Sequence, residues 1–412
     1  MGLLLGCVAT ACADDTRAGE SEATNGDTTE VESEVESESE VEVESGSEVE
    51  SEVETTTWPY PLALFYQTVA QTGNEVRVGW TYDGETIVSS GDTTFAWVVL
   101  GGQTQTYGDP VLSRLANGTW AATAWSGRND PRGASYLMYQ EASCPKDLPA
   151  PSAASIKFIG PQTPTADALC KEAMMTIGGK SSQVFDVDGS NYLFLNSGSS
   201  IYLVRMTNGA STGAPDAICF LKTPATDLAA MRVGDATEVI ARGVSGAIAE
   251  GDGPLVLSDA GIARRKDGTW VLFVKGFSKA LAETNSCRDL CELCNRGVYR
   301  ATSSDLLHWS ALDRVAWRAS IPEASVDPLG RPWLYYQDFG AACDANDHRL
   351  ANRAAISGIR EEDDVGTMST PIHVYIEGAS FETNTQEHYP TNGNPVRLSG
   401  PEALSALESC TP

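Results

Sequence analysis

Residues 259–276 read DAGIARRKDGTWVLFVKG. Asp259 opens an apolar run, Asp267-Gly268 supplies a tight hairpin turn, and Trp270 starts a β-branched and aromatic return strand. The phrase recurs. DPVLSRLANGTW at 109–120 leads into AATAW, SQVFDVDGSNY at 182–192 into LFLN, and EASVDPLGRPW at 323–333 into LYYQD. The four openings, Asp109, Ser182, Asp259 and Glu323, lie roughly 70 residues apart, a spacing that suits a repeated small antiparallel sheet. From Trp58 onward that interval divides the chain into about five. The expectation is an all-β fold, a five-bladed β-propeller, with six blades as the alternative. The fifth blade combines the segment before Asp109 with the one after Ile372 and closes the ring.

Outward from these phrases, residues 58–412 keep the same texture and read as one propeller domain. Strands are expected at Phe95–Leu100, Trp120–Trp125, Tyr136–Tyr139, Tyr192–Asn196, Ile201–Met206, Trp270–Lys275, Val298–Ala301, Trp333–Tyr336 and Ile372–Ile376. They are rich in β-branched and aromatic residues and bounded by turn formers. Helical periodicity is confined to Ala166–Met175 and Glu402–Leu407.

The chain carries a formal charge of −28. Nucleic acid is not expected as a partner, because phosphate binding needs a strongly basic surface and this chain is strongly acidic. Much of the charge lies in residues 13–57, a Glu/Ser/Val tract that with Cys12 holds 17 acidic side chains and a single Arg. Without aromatic residues it has nothing to build a core from, so a disordered, self-repelling tether is expected. Residues 1–12, MGLLLGCVATAC, read as the remnant of a secretory signal. With a basic n-region missing, a start codon upstream of Met1 is an expectation. Ala9-Thr10-Ala11-Cys12 resembles a bacterial lipobox, with Leu4-Leu5-Gly6-Cys7 as a competing site. Cleavage at Cys12 leaves an even number of cysteines, as an oxidising compartment favours. Lipidation at Cys12, a membrane anchor and a bacterial envelope location, at the outer membrane or cell surface, follow as expectations.

The phrases themselves resemble those of a known family. Gly108-Asp109-Pro110-Val111 followed by Asn117-Gly118-Thr119-Trp120, and Tyr299-Arg-Ala-Thr-Ser-Ser-Asp305-Leu-Leu-His308-Trp309, are similar to phrases of the five-bladed propeller glycoside hydrolases. That group contains arabinanases, β-xylosidases, levansucrases and invertases. The resemblance covers roughly residues 95–340 and implies a carbohydrate substrate, with Asp109 as catalytic base. The order Asp109, Asp259, Glu323 matches the family's order of base, pKa modulator and acid. Ser182 departs from the set. Such families often carry the middle Asp in a blade like the second one here, which would shift the roles of Asp259 and Glu323.

The chemistry also stands on its own terms. Glycosidic cleavage needs one carboxylic acid to protonate the leaving oxygen and one carboxylate to activate water or attack carbon. A third acidic group nearby raises the acid's pKa by like-charge repulsion. The innermost strands of a propeller surround one funnel, so distant blades can each contribute a carboxylate. The alternative is a non-catalytic surface propeller that binds glycan or protein, since Asp before a turn also serves only to stabilise a hairpin. No cofactor is expected, a structural calcium in the channel stays open, and the expected state is a monomer.

Cys287-Arg-Asp-Leu-Cys291-Glu-Leu-Cys294 has the three-thiolate spacing of a cubane iron–sulfur site. That motif belongs after the first strand of a parallel α/β barrel, and an oxidising compartment opposes it. A zinc site lacks a second Cys pair. Disulfides among Cys144, Cys170, Cys219, Cys287, Cys291, Cys294, Cys343 and Cys410 are expected, with their pairing open.

Overall fold

The computed structural model describes residues 58–70, 73–95, 107–126, 136–147, 157–159, 182–206, 220–241, 254–278, 291–346, 355–362, 366–376 and 389–397. All lie in the compact unit Thr55–Pro412. Cys12, the tract at 13–57, both expected helices and strand residues 96–100 fall outside the described residues.

The described residues form five antiparallel-based sheets. The first starts with β1 (Leu62–Ala70), β2 (Gly73–Thr81) and β3 (Thr86–Phe95). The second holds β4 (Tyr107–Arg114), β5 (Trp120–Ser126), β6 (Tyr136–Ala142) and β7 (Lys157–Ile159). The third holds β8 (Phe185–Val187), β9 (Ser190–Ser197), β10 (Ser200–Arg205), β11 (Leu221–Lys222) and β12 (Asp235–Ile240). The fourth holds β13 (Leu255–Arg264), β14 (Trp270–Ser278), β15 (Arg296–Ser303) and β16 (Asp313–Trp317). The fifth holds β17 (Ala319–Val326), β18 (Pro332–Asp338), β19 (Ala355–Arg360) and β20 (Ile372–His373). Then β21 (Tyr375–Ile376) and β22 (Tyr389–Arg397) return to complete the first sheet, in the order β21-β3-β2-β1-β22. This is the five-bladed propeller expected from the repeats, and its first blade is assembled from both ends of the domain.

Side-chain packing closes the ring. Leu115, Ala121 and Tyr139 of the second sheet pack on Leu193, Leu195 and Val204 of the third. Phe194 and Leu203 of the third sheet meet Ile262 and Leu272 of the fourth. Val271 and Phe273 then meet Leu334 and Tyr336 of the fifth. Trp333 and Tyr335 meet Trp58, Leu62 and Leu64 of the first, and Phe65 packs edge-on against Trp120 to return to the second. Each blade thus has neighbours on both faces. That is why β9 and β14 read as continuous apolar runs rather than alternating ones.

The recurrent phrase owes its glycine to backbone geometry. Leu115, Arg265 and Asp327 each donate an N–H to a carbonyl four residues on, at 2.9 Å in all three hairpins. Gly118, Gly268 and Gly330 sit inside those turns with φ of 82°, 93° and 85°, the left-handed region where a Cβ is costly.

A second repeat escaped the sequence reading. Ser303 and Asp305 build a turn in which Asp305 Oδ1 accepts the backbone N–H groups of Leu307 and His308, at 2.9 and 2.8 Å. Thr81 and Asp83 build the same turn between β2 and β3, with Asp83 Oδ1 accepting from Glu85 and Thr86 at 2.8 Å. Both link the third and fourth strands of a blade.

The expected strand Ile372–Ile376 is corrected. It breaks at Val374, with β20 pairing to β19 in the fifth sheet and β21 pairing in parallel to β3 in the first. Val374 is buried between the two sheets. Two short helices also appear, α1 (Cys291–Cys294) and α2 (Gly340–Ala345). A disulfide joins them, Cys294–Cys343, with Cα atoms 5.6 Å apart, and Cys144 is also disulfide-bonded. Cys294 is therefore spent on a disulfide and cannot serve as the third thiolate of a cluster or zinc site. Closing a loop of 49 residues stabilises the chain by about 4 kcal/mol in the chain-entropy treatment.

Candidate functional site

The innermost strands are β22, β4, β8, β13 and β17, one edge of each sheet. They touch around the axis. Ser113 Oγ of β4 accepts the Val184 N–H just before β8, at 2.7 Å. Asn196 of β9 donates to the Leu257 carbonyl of β13 at 2.6 Å. Gly261 of β13 lies against the backbone of Glu323 and Ala324 in β17, so close that a Cβ there would collide with it. β22 adjoins both β17 and β4.

Three of these strands are interrupted near the same end. In β4 the pairing jumps from Gly108 to Val111, in β13 from Ser258 to Ala260, and in β17 from Ser320 to Glu323. Such bulges re-aim side chains and increase local twist, and they concentrate beside active sites. The sequence-nominated acids sit at these interruptions. Asp109 occupies the unpaired stretch of β4, although its side chain is outside the described residues. Asp259 is the unpaired residue of β13, and Glu323 is the first paired residue after the bulge of β17.

The three positions are not equivalent, which corrects their reading as one repeated opening. Counted back from the hairpin-closing residue, Asp109 stands to Leu115 as Asp259 stands to Arg265. The same step back from Asp327 reaches Ile321, and Glu323 matches Val111 and Gly261 instead. At two of the three strands this position is strained. Asp259 has φ of 34° and Ile321 has φ of 49°. Asp tolerates the left-handed region, whereas a β-branched residue there is a genuine outlier. Strain of this kind persists where surrounding structure enforces it, often at functional sites.

Asp259 is 3 % exposed. It forms an ion pair with Lys275 Nζ and receives a hydrogen bond from Ser258 Oγ at 3.3 Å. Lys275 was missed in the sequence, yet it has a signal there: it is the lone charge in the apolar strand WVLFVKGFS. Glu323 is fully buried. Its pairing with Tyr335 puts it on the face of the fifth sheet that meets the first. Asp259 shares the parity of Gly261, on the face towards the fifth sheet. Neighbouring inner strands thus carry the two acids, each packed into a different blade interface.

Ser182, the fourth opening, is a structural residue. Its hydroxyl accepts the Phe194 N–H at 2.7 Å and donates to the Gln183 carbonyl at 3.0 Å, just before β8. Near the bulged end of the fifth sheet, Ser357 Oγ donates to Asp338 Oδ2 at 2.9 Å and lies 3.2 Å from His373 Nδ1. A nucleophilic triad needs the His between Ser and Asp. Here the Ser is in the middle and 1 % exposed, so the cluster reads as a brace between β18, β19 and β20. Among the described residues, no three His, Cys, Asp or Glu side chains are gathered to hold a metal ion.

No family model and no curated protein matches the chain. Solved structures do. The chain is similar to a Bacillus subtilis levansucrase in complex with oligosaccharides, at 11% identity over 72% of this chain and 74% of that one, TM-score 0.42. It is also similar to an exo-1,5-α-L-arabinanase from a bovine ruminal metagenomic library, at 14% identity over 77% and 97%, TM-score 0.41. A third likeness is to an endo-arabinase from Bacteroides thetaiotaomicron, at 13% identity over 69% and 90%, TM-score 0.37.

Proposed function

We propose that this propeller is a glycoside hydrolase in which Glu323 donates a proton to the leaving glycosidic oxygen and Asp109 acts as base. The supporting observation is that three acids from three blades stand at the bulges of inner strands around one axis. In this reading Asp259 is the third acid of the set, held in place by its ion pair with Lys275. Asp109→Asn and Glu323→Gln keep shape while removing a proton-transfer group. Each is expected to lower kcat on the true glycan by about 10²–10⁴-fold. The assay panel is arabinan, xylan, fructan and sialoside. Full activity in Asp109→Asn refutes this site.

A second reading has its own observation. Glu323 is fully buried and Asp259 is tied to Lys275, as acids with a structural role would be. The propeller would then bind a glycan or protein without cleaving it. A folded wild-type protein that hydrolyses nothing in the panel decides for this reading.

The reading includes a lipid anchor at Cys12, supported by the small residues before it and by cysteine parity. It puts the protein in a bacterial envelope. The mature N-terminus is expected by mass spectrometry to be an acylated Cys12, and an unmodified soluble chain that retains residues 1–11 excludes the anchor.

A further inference from the structure

At the end of the inner strands remote from the bulges, the β4–β5, β8–β9, β13–β14 and β17–β18 hairpins converge on a cavity of about 720 Å³. From Asp259 to Arg264 the strand runs about 17 Å at the usual rise, so this cavity is separate from the candidate catalytic end.

Two cations on its wall are held in place with their charged ends open. The Arg264 guanidinium lies 4.8 Å over the Trp270 ring, and its Nε donates to the Gly268 carbonyl at 3.2 Å. Its two terminal amino groups make no hydrogen bond or ion pair among the described residues. The stem of Lys266 lies along Gly330, where any Cβ would strike it, and its ammonium likewise has no partner among them. Of the neighbouring charged groups, Arg265 is ion-paired, and Asp267 and Asp186, which stay anionic, are tied into their own turns. Both nitrogens of the Arg265 fork bind Glu361 at 2.7 Å. Asp267 accepts the Thr269 N–H at 2.8 Å, and Asp186 accepts the Gly189 N–H at 3.3 Å.

A guanidinium fixed by stacking and one hydrogen bond loses little freedom when its remaining fork grips an oxyanion. Two such donors beside one cavity, on a chain of net charge −28, are a local exception to the protein's field. We propose that this hairpin-face cavity binds a carboxylate-bearing oligosaccharide, with Arg264 and Lys266 as the carboxylate ligands. The charge selectivity rests on these residues; only the choice of a sugar rests on the function proposed above.

Calorimetry on the full chain with trigalacturonate, its neutral methyl ester and inorganic phosphate tests this. Trigalacturonate is expected to bind, and the ester to bind about tenfold more weakly or not at all. Arg264→Gln and Lys266→Met are each expected to weaken trigalacturonate by about tenfold. Lys266 is exposed, so its variant tests the site without disturbing the Trp270 contact. Asp109→Asn is expected to leave this binding unchanged, which separates failure here from failure of the hydrolase reading. The proposal is overturned by no trigalacturonate binding at millimolar concentration, by equal binding of the ester, or by unchanged affinity in both cation variants. Phosphate binding as tightly as trigalacturonate also overturns it, because the site would then take a free oxyanion rather than a sugar.

Discussion

Asp305 shows how one residue's charge is coupled to local structure. Burial pulls its pKa upward, but hydrogen bonds from the His308 ring and the backbone N–H groups of His308 and Leu307 bring it down to about 2. An unfolded Asp titrates near about 3.9. Because the folded value is depressed, its contribution to stability is present above that unfolded value and disappears as pH falls through about 2. Asp305→Ala is therefore expected to lower Tm by a few degrees at neutral pH, on the order usual for one lost interaction. The gap from wild type should close as pH drops from about 4 to about 2. A gap that stays constant over that range contradicts the linkage. The Thr81–Asp83 turn rests on equally local chemistry, Thr-x-Asp-Gly, although the sequence reading passed over it. Lys275 stands out in the sequence as a lone charge, but its partner does not, because the pairing with Asp259 crosses from β14 to β13.

At the scale of elements, β22 carries the closure of the ring. It pairs antiparallel with β1 from Leu62–Arg397 to Val69–Tyr389. Without it, β1 presents a free ladder edge, and β4 and β17 lose their neighbour. A chain ending at residue 388 is expected to show no cooperative thermal transition, and adding a peptide of residues 389–412 is expected to restore one by strand addition. Melting of the shortened chain at the wild-type Tm would show that β22 is dispensable. The need for a C-terminal contribution to the first blade was legible from the repeat count. The break at Val374 was not. Ile372 to Ile376 reads as one β-forming run, and only the meeting of two sheets explains why its halves pair with different partners.

At the scale of the whole molecule, the five blades form a circle of like interfaces, each an apolar contact between two sheet faces. The two ends of that circle of inner strands differ in chemistry. One end has bulges, strained residues at Asp259 and Ile321, buried acids and the Cys294–Cys343 staple linking loops of the fourth and fifth sheets. The other end has regular hairpins and the open cations Arg264 and Lys266. The proposed reaction and the proposed binding site lie at opposite ends of the inner strands, so they are tested separately.

The sequence by itself determined the all-β class, a propeller of five or six blades and the nomination of Asp109, Asp259 and Glu323. These depend on short-range signals, namely glycine turns, apolar runs and their interval, which the chain repeats wherever a blade is built. Only the tertiary structure decided that Lys275 pairs with Asp259 and that Cys294 joins Cys343. Each of those facts depends on which faces and loops of separate strands and blades meet. Register and the choice of neighbours set that meeting, and residue spacing along the chain does not encode it.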